Sequence, residues 1–78
     1  MRQKEWKLVI TFRTTADAIA FEKACKTNGA PGRMIPVPRE ISAGCGLAWA
    51  TIPEEKDGMC QLLSEQNIVC EEMKVLYC

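Results

Sequence analysis

Trp6, Leu8, Ile10 and Phe12 alternate with Lys7, Val9 and Thr11. This period of two predicts a half-buried strand over Trp6 to Phe12. The pattern then changes. Ala18, Phe21, Ala24, Cys25 and Asn28 recur at three- and four-residue steps and share one helical face, leaving Glu22, Lys23 and Lys26 in water. Thr14-Thr15-Ala16-Asp17 supplies the helix start: a hydroxyl at the N-cap and a carboxylate three residues on. Asn28-Gly29 ends the helix near Thr27, because glycine adopts the left-handed C′ conformation at low cost.

Arg33-Met34-Ile35-Pro36-Val37-Pro38 reads as extended. Pro36 and Pro38 both lack an N–H on the same side of the chain, so this strand belongs at a sheet edge. Glu40 to Gly46 is a loop with a helical turn beginning at Ser42. Leu47-Ala48-Trp49-Ala50-Thr51-Ile52 is apolar on both faces and predicts a central strand. Its small residues, Ala48 and Ala50, suit close packing of a helix on their side. Pro53-Glu54-Glu55 opens a second helix, with Met59, Leu62, Leu63 and Gln66 inward and Asn67 as its stop. Val69 to Tyr77 alternates again. Val69, Met73, Val75 and Tyr77 take one side, and Cys70, Glu72, Lys74 and Cys78 the other.

Strand, helix, strand, strand, helix, strand is the split β-α-β arrangement of a ferredoxin-like α+β sandwich. It predicts a four-stranded antiparallel sheet with both helices on one face, in a single domain covering residues 1–78. Right-handed crossovers place the first and third strands at the centre, and the proline-bearing and C-terminal strands at the edges. Val9, with Trp49 or Leu47, is then expected to leave apolar area on the uncovered face, where a homodimer can form.

Charge narrows the functions. Ten basic residues balance ten acidic ones, so no basic field draws nucleic acid or an anionic membrane. No apolar run reaches the roughly 20 residues of a membrane helix, and residues 6–12 are too short for a signal core. A cytosolic protein with reduced thiols is the expectation.

The chain has no histidine and five cysteines: Cys25, Cys45, Cys60, Cys70 and Cys78. An odd number excludes a complete internal disulfide framework. No Cys-x-x-Cys pair and no histidine argue against zinc, haem or a Cys/His nucleophile, so no metal or cofactor is expected. Acid–base catalysis lacks its commonest base and would fall to Glu, Asp, Lys or Tyr; no acid–base pair is visible, so an enzyme with its own turnover is not expected. Cys25 and Cys60 read as small apolar residues of their helices. Cys70 and Cys78 are roughly 26 Å apart on an extended strand and cannot bridge.

Cys45 differs, because Gly44 and Gly46 leave no bulk around its sulfur. The N–H groups of Gly44, Cys45 and Gly46 can form an anion-binding nest that lowers the thiol pKa. Arg39 adds positive charge, which Glu40 opposes. The plainer reading is a loop that needs glycines for positive φ and carries a small residue between them.

Met34-Ile35-Pro36-Val37-Pro38-Arg39-Glu40-Ile41-Ser42-Ala43-Gly44-Cys45-Gly46-Leu47-Ala48, together with Thr11-Phe12, Ala18, Glu22-Lys23-Ala24 and Gly29, resembles a small bacterial family. Its members are described as putative selenium/sulfur carrier-like proteins. The resemblance implies a transferable sulfur or selenium atom on Cys45. A cysteine desulfurase or similar donor would supply it as a persulfide or selenopersulfide, and an acceptor protein would take it. Arg39, Ser42 and the N–H groups at Gly44 and Gly46 would stabilise the anion. Two rival readings of the Arg39–Gly46 loop are a non-catalytic binding or regulatory module and a thiol redox sensor.

Overall fold

The structure, a computed structural model, describes residues 5–38, 41 and 46–77. In chain order the elements are β1 (Trp6–Phe12), α1 (Thr15–Asn28), β2 (Arg33–Pro36), β3 (Leu47–Thr51), α2 (Lys56–Glu65) and β4 (Cys70–Tyr77). A short 3-10 turn at Pro53–Glu55 leads into α2. The four strands form one antiparallel sheet in the order β2-β3-β1-β4. This is the α+β arrangement predicted, with β1 and β3 central and the proline-bearing strand at an edge.

The edge position of β2 follows from its prolines. Pro36 pairs with Leu47, and the Val37 N–H donates to the Gly46 carbonyl at 3.1 Å. Along an extended chain N–H groups alternate in direction. Val37 therefore faces β3, and the missing N–H groups of Pro36 and Pro38 fall on the free edge, where no partner strand is lost.

Helix α1 starts, and both helices stop, as their sequences dictate, whereas Pro53–Glu55, expected to open the second helix, forms the 3-10 turn before it. The Thr14 side chain accepts from the Asp17 N–H at 3.1 Å. Gly29 is left-handed (φ 69°), and the Ala30 N–H returns to the Cys25 carbonyl at 2.8 Å. Asn67 does the same for α2 with φ 56°, and the Ile68 N–H closes on the Leu63 carbonyl at 2.9 Å. These are the six-to-one bonds of a Schellman ending, which satisfy carbonyls that the helix leaves orphaned. Gln66, expected to point inward, is the exposed C-cap of α2.

Both helices cover the same face of the sheet. The main core joins Leu8, Ile10, Phe12 and Trp49 of the sheet to Ala18, Phe21 and Cys25 of α1 and Met59, Leu62 and Leu63 of α2. Phe21 packs edge-on against Trp49 at 6.0 Å and tilts against Phe12 at 5.5 Å, geometries worth about 0.5–1.5 kcal/mol per pair beyond burial.

The helices thus lie on the Trp49 side of β3, and the expectation that one packs on Ala48 and Ala50 is corrected. The register explains it: Trp49 pairs with Ile10 and Ala48 with Thr11, so the large side chains fill the gap to the helices. The alanine side is covered by Ile41, from the β2–β3 connection, instead. Ile41, Val9 and Ala48 form a second buried cluster, flanked by Ile35, Val37 and Leu76. For this reason β1 is buried on both faces from Val9 to Phe12, where alternation predicts one wet face. The apolar area expected to remain open there is accounted for: Val9 is fully buried, and Trp49 and Leu47 face the helices.

On β4 the alternation breaks. Thr11 pairs with Glu72 but Phe12 with Cys70, so Glu71 is an extra residue at a bulge. Cys70 and Met73 consequently both pack on the helix-side core, although they are an odd number of residues apart and were expected on opposite faces.

Candidate functional site

The loop that carries the predicted site connects β2 to β3 at the Pro36–Leu47 end of their ladder. Arg39, Ser42, Gly44 and Cys45 lie outside the described residues, as does the helical turn expected from Ser42. Gly46 and Ile41 lie within them. Gly46 has φ 75°, and a Cβ there would meet nothing within 4 Å. Glycine is therefore required at this position for its backbone conformation, and no neighbour presses on it.

The described flanks fasten the loop to the sheet. The Val37–Gly46 hydrogen bond closes its base. The Ile41 N–H donates to the Pro38 carbonyl at 3.0 Å. The Ile41 side chain, 6% exposed, then inserts against Val9 and Ala48. The described residues Val37, Ile41 and Gly46 are thus pinned by hydrogen bonds and by one apolar plug. The only sequence signal for that plug is an isolated apolar residue among polar and small ones.

The described cysteines sit in three different environments. Cys25 is fully buried in the main core, and burial pushes its thiol from 9.0 up to about 11. Such a thiol stays protonated and out of reach. Cys70 is half-buried; its thiol is raised chiefly by burial and further by the nearby charge of Cys60, with a backbone hydrogen bond opposing. Cys60 is exposed, contrary to the buried role expected of it, because it lies beside the Met59–Leu62–Leu63 stripe. Its Sγ donates to the Met73 Sδ at 3.8 Å. Cys70 faces the same side as Met73 only through the bulge at Glu71, which is invisible in the sequence.

An open cleft of about 400 Å³ lies at the other end of β2, lined by Lys7, Gly32, Arg33, Thr51 and Ile52 among others. It shares no described residue with the loop. Among the described residues, no group of three or more His, Cys, Asp or Glu side chains is placed to hold a metal ion. None of their helices is long and apolar enough to cross a membrane.

A family model described as "Putative Se/S carrier protein-like" matches residues 7–74. The match runs from the first strand into the last and includes the whole β2–β3 loop. Comparison with curated proteins gave no match, and comparison with solved structures gave none either.

Proposed function

The chain belongs to the Se/S carrier protein-like family, and from that premise we propose that it holds a transferable sulfur or selenium atom on Cys45. The observation that carries this reading is the family match over residues 7–74, which spans the cysteine-bearing loop. The fastening of that loop supports it. A carrier thiol needs a rigid scaffold, and Ile41 and the Val37–Gly46 bond anchor the described residues on either side of Cys45 to the sheet, which supports the reading. Cys25 is a poor competitor, because burial keeps its thiol protonated, and burial raises the Cys70 thiol as well.

In the proposed reaction the Cys45 thiolate attacks the outer sulfur of a donor persulfide. A new sulfur–sulfur bond forms, the donor's bond breaks, and the donor leaves as a thiolate. The product is Cys45–S–SH, or Cys45–S–SeH with a selenium donor. An acceptor thiolate removes the atom by the same exchange, so no net oxidant is consumed. Arg39, Ser42 and the N–H groups of Gly44, Cys45 and Gly46 are assigned to stabilising the anion. The partners are a persulfide donor such as a cysteine desulfurase, and an acceptor protein.

Intact-protein mass spectrometry after incubation with a cysteine desulfurase and cysteine tests this. The expected result is a gain of one sulfur in the wild type, lost in Cys45→Ser and kept in Cys60→Ser. No gain in the wild type, or a gain that survives Cys45→Ser, overturns the assignment and favours a binding role for the loop.

A further inference from the structure

The sulfurs gathered between α2 and β4 serve no part of the proposed carrier chemistry. Cys60 projects from α2, and its Sγ lies 3.8 Å from the Met73 Sδ. Cys70 stands on the same face of β4 as Met73, because the extra residue Glu71 brings it round. Phe12 and Ile10 are their respective partners on β1, so the two β4 side chains are near neighbours along one side of the strand. Cys70 and Met73 thus both face the side of β4 on which Cys60 meets Met73.

We propose that Cys60, Cys70 and Met73 form a binding site for a soft monovalent metal ion, Cu(I) in the first instance. Two thiolates and a thioether are the donor set that selects Cu(I) over harder divalent ions. A three-coordinate metal with sulfur ligands at about 2.3 Å holds them about 4 Å apart, by trigonal geometry. The Cys60–Met73 separation of 3.8 Å already has that span. Binding displaces one proton from each thiol, and the metal's positive charge offsets the cost of two adjacent thiolates. The metal enters and leaves with no change of oxidation state. Cys60 is exposed and gives the ion access, while Cys70 and Met73 are half-buried and hold it against the core. The site uses neither Cys45 nor its loop, so it stands or falls independently of the carrier reading.

Anaerobic titration of the full chain with Cu(I), in competition with a chromophoric chelator such as bicinchoninate, tests the site. The wild type is expected to withhold one equivalent of Cu(I) from the chelator. Cys60→Ser and Cys70→Ser should each lose that equivalent, and Cys45→Ser and Cys78→Ser should keep it. Met73→Leu preserves side-chain volume and should retain the stoichiometry at lowered affinity. Circular dichroism checks that each variant is folded; Cys60 is exposed, so its replacement leaves the core intact and decides the question if Cys70→Ser does not fold. The proposal is overturned if the wild type withholds no Cu(I), if the equivalent survives Cys60→Ser, or if it is lost in Cys45→Ser.

Discussion

Gly32 lies against the indole edge of Trp49 so closely that a Cβ on it would stand 2.5 Å from the Trp49 Nε1 and 2.6 Å from the Ala50 carbonyl oxygen. Gly32 also has φ 124°, a region closed to other residues. Trp49 is the largest fully buried side chain of the core. The bend that admits the chain into β2 is therefore tied to the seat of that ring. Gly32→Ala is expected to cost about 3 kcal/mol, from backbone strain together with displacement of the ring. Gly29→Ala is the control: φ is 69°, but a Cβ meets nothing within 4 Å, so the cost should be about 1 kcal/mol. Urea denaturation of the two variants measures the difference. Equal losses would show that the Trp49 contact contributes nothing.

The buried Cys25 gives the fold a pH dependence on the alkaline side. Its thiol titrates at about 11 when folded, against 9.0 without burial. Below pH 9 both states are protonated, and the group adds no slope. Between about pH 9 and 11 the unfolded chain releases the proton and the folded one keeps it, so stability falls as pH rises, by about 2 kcal/mol across the window. Cys25→Ala removes this contribution. The stability gap between wild type and variant should shrink over that range, as read from denaturation midpoints at successive pH values. A gap independent of pH would refute the linkage.

Gly58 sits in the first turn of α2, exposed, with ordinary helical φ. A Cβ there would come within 3.4 Å of only the Glu55 Oε1, the free end of a flexible side chain. Gly58→Ala should stabilise the protein by about 0.5–1 kcal/mol, since the unfolded chain loses freedom and the helix gains a good former. Thr14→Ala works in the opposite sense. It removes the acceptor for the Asp17 N–H and should cost about 1 kcal/mol. Thermal unfolding of both variants should show melting temperatures displaced to opposite sides of the wild type.

What was legible in the sequence is what local chemistry decides. Thr14, Gly29 and Asn67 set helix ends because their side chains or conformations satisfy specific orphaned groups. Pro36 and Pro38 put β2 at an edge because they have no donor to give. What was illegible depends on how elements meet. The two faces of β3 look alike in apolar content, and only the register with β1 shows that Trp49, and not Ala48, faces the helices. One extra residue in β4, Glu71, reverses the facing of Cys70, and no period-2 reading can anticipate that. The cysteine loop was legible as a motif, and its covering role was not, since a lone Ile41 carries no period.

Ile41 joins the fold to the proposed chemistry. Its side chain is 6% exposed and seals Val9 and Ala48 on the sheet face that the helices leave open. Cys45 is four residues further along the same connection. Ile41→Ala deletes most of the plug and should destabilise the protein by about 2–3 kcal/mol, the transfer loss plus a cavity that the short connection fills only in part. If the plug also positions the loop, the variant should accept sulfur on Cys45 more slowly than wild type under conditions where both are fully folded. Thr14→Ala, a destabilised variant remote in sequence from the loop, provides the comparison: it should load at the wild-type rate. Slowed loading in Ile41→Ala alone would tie carrier function to the anchoring of the loop. Equal rates in all three proteins would confine Ile41 to stability and leave the thiol's own environment as the determinant of transfer.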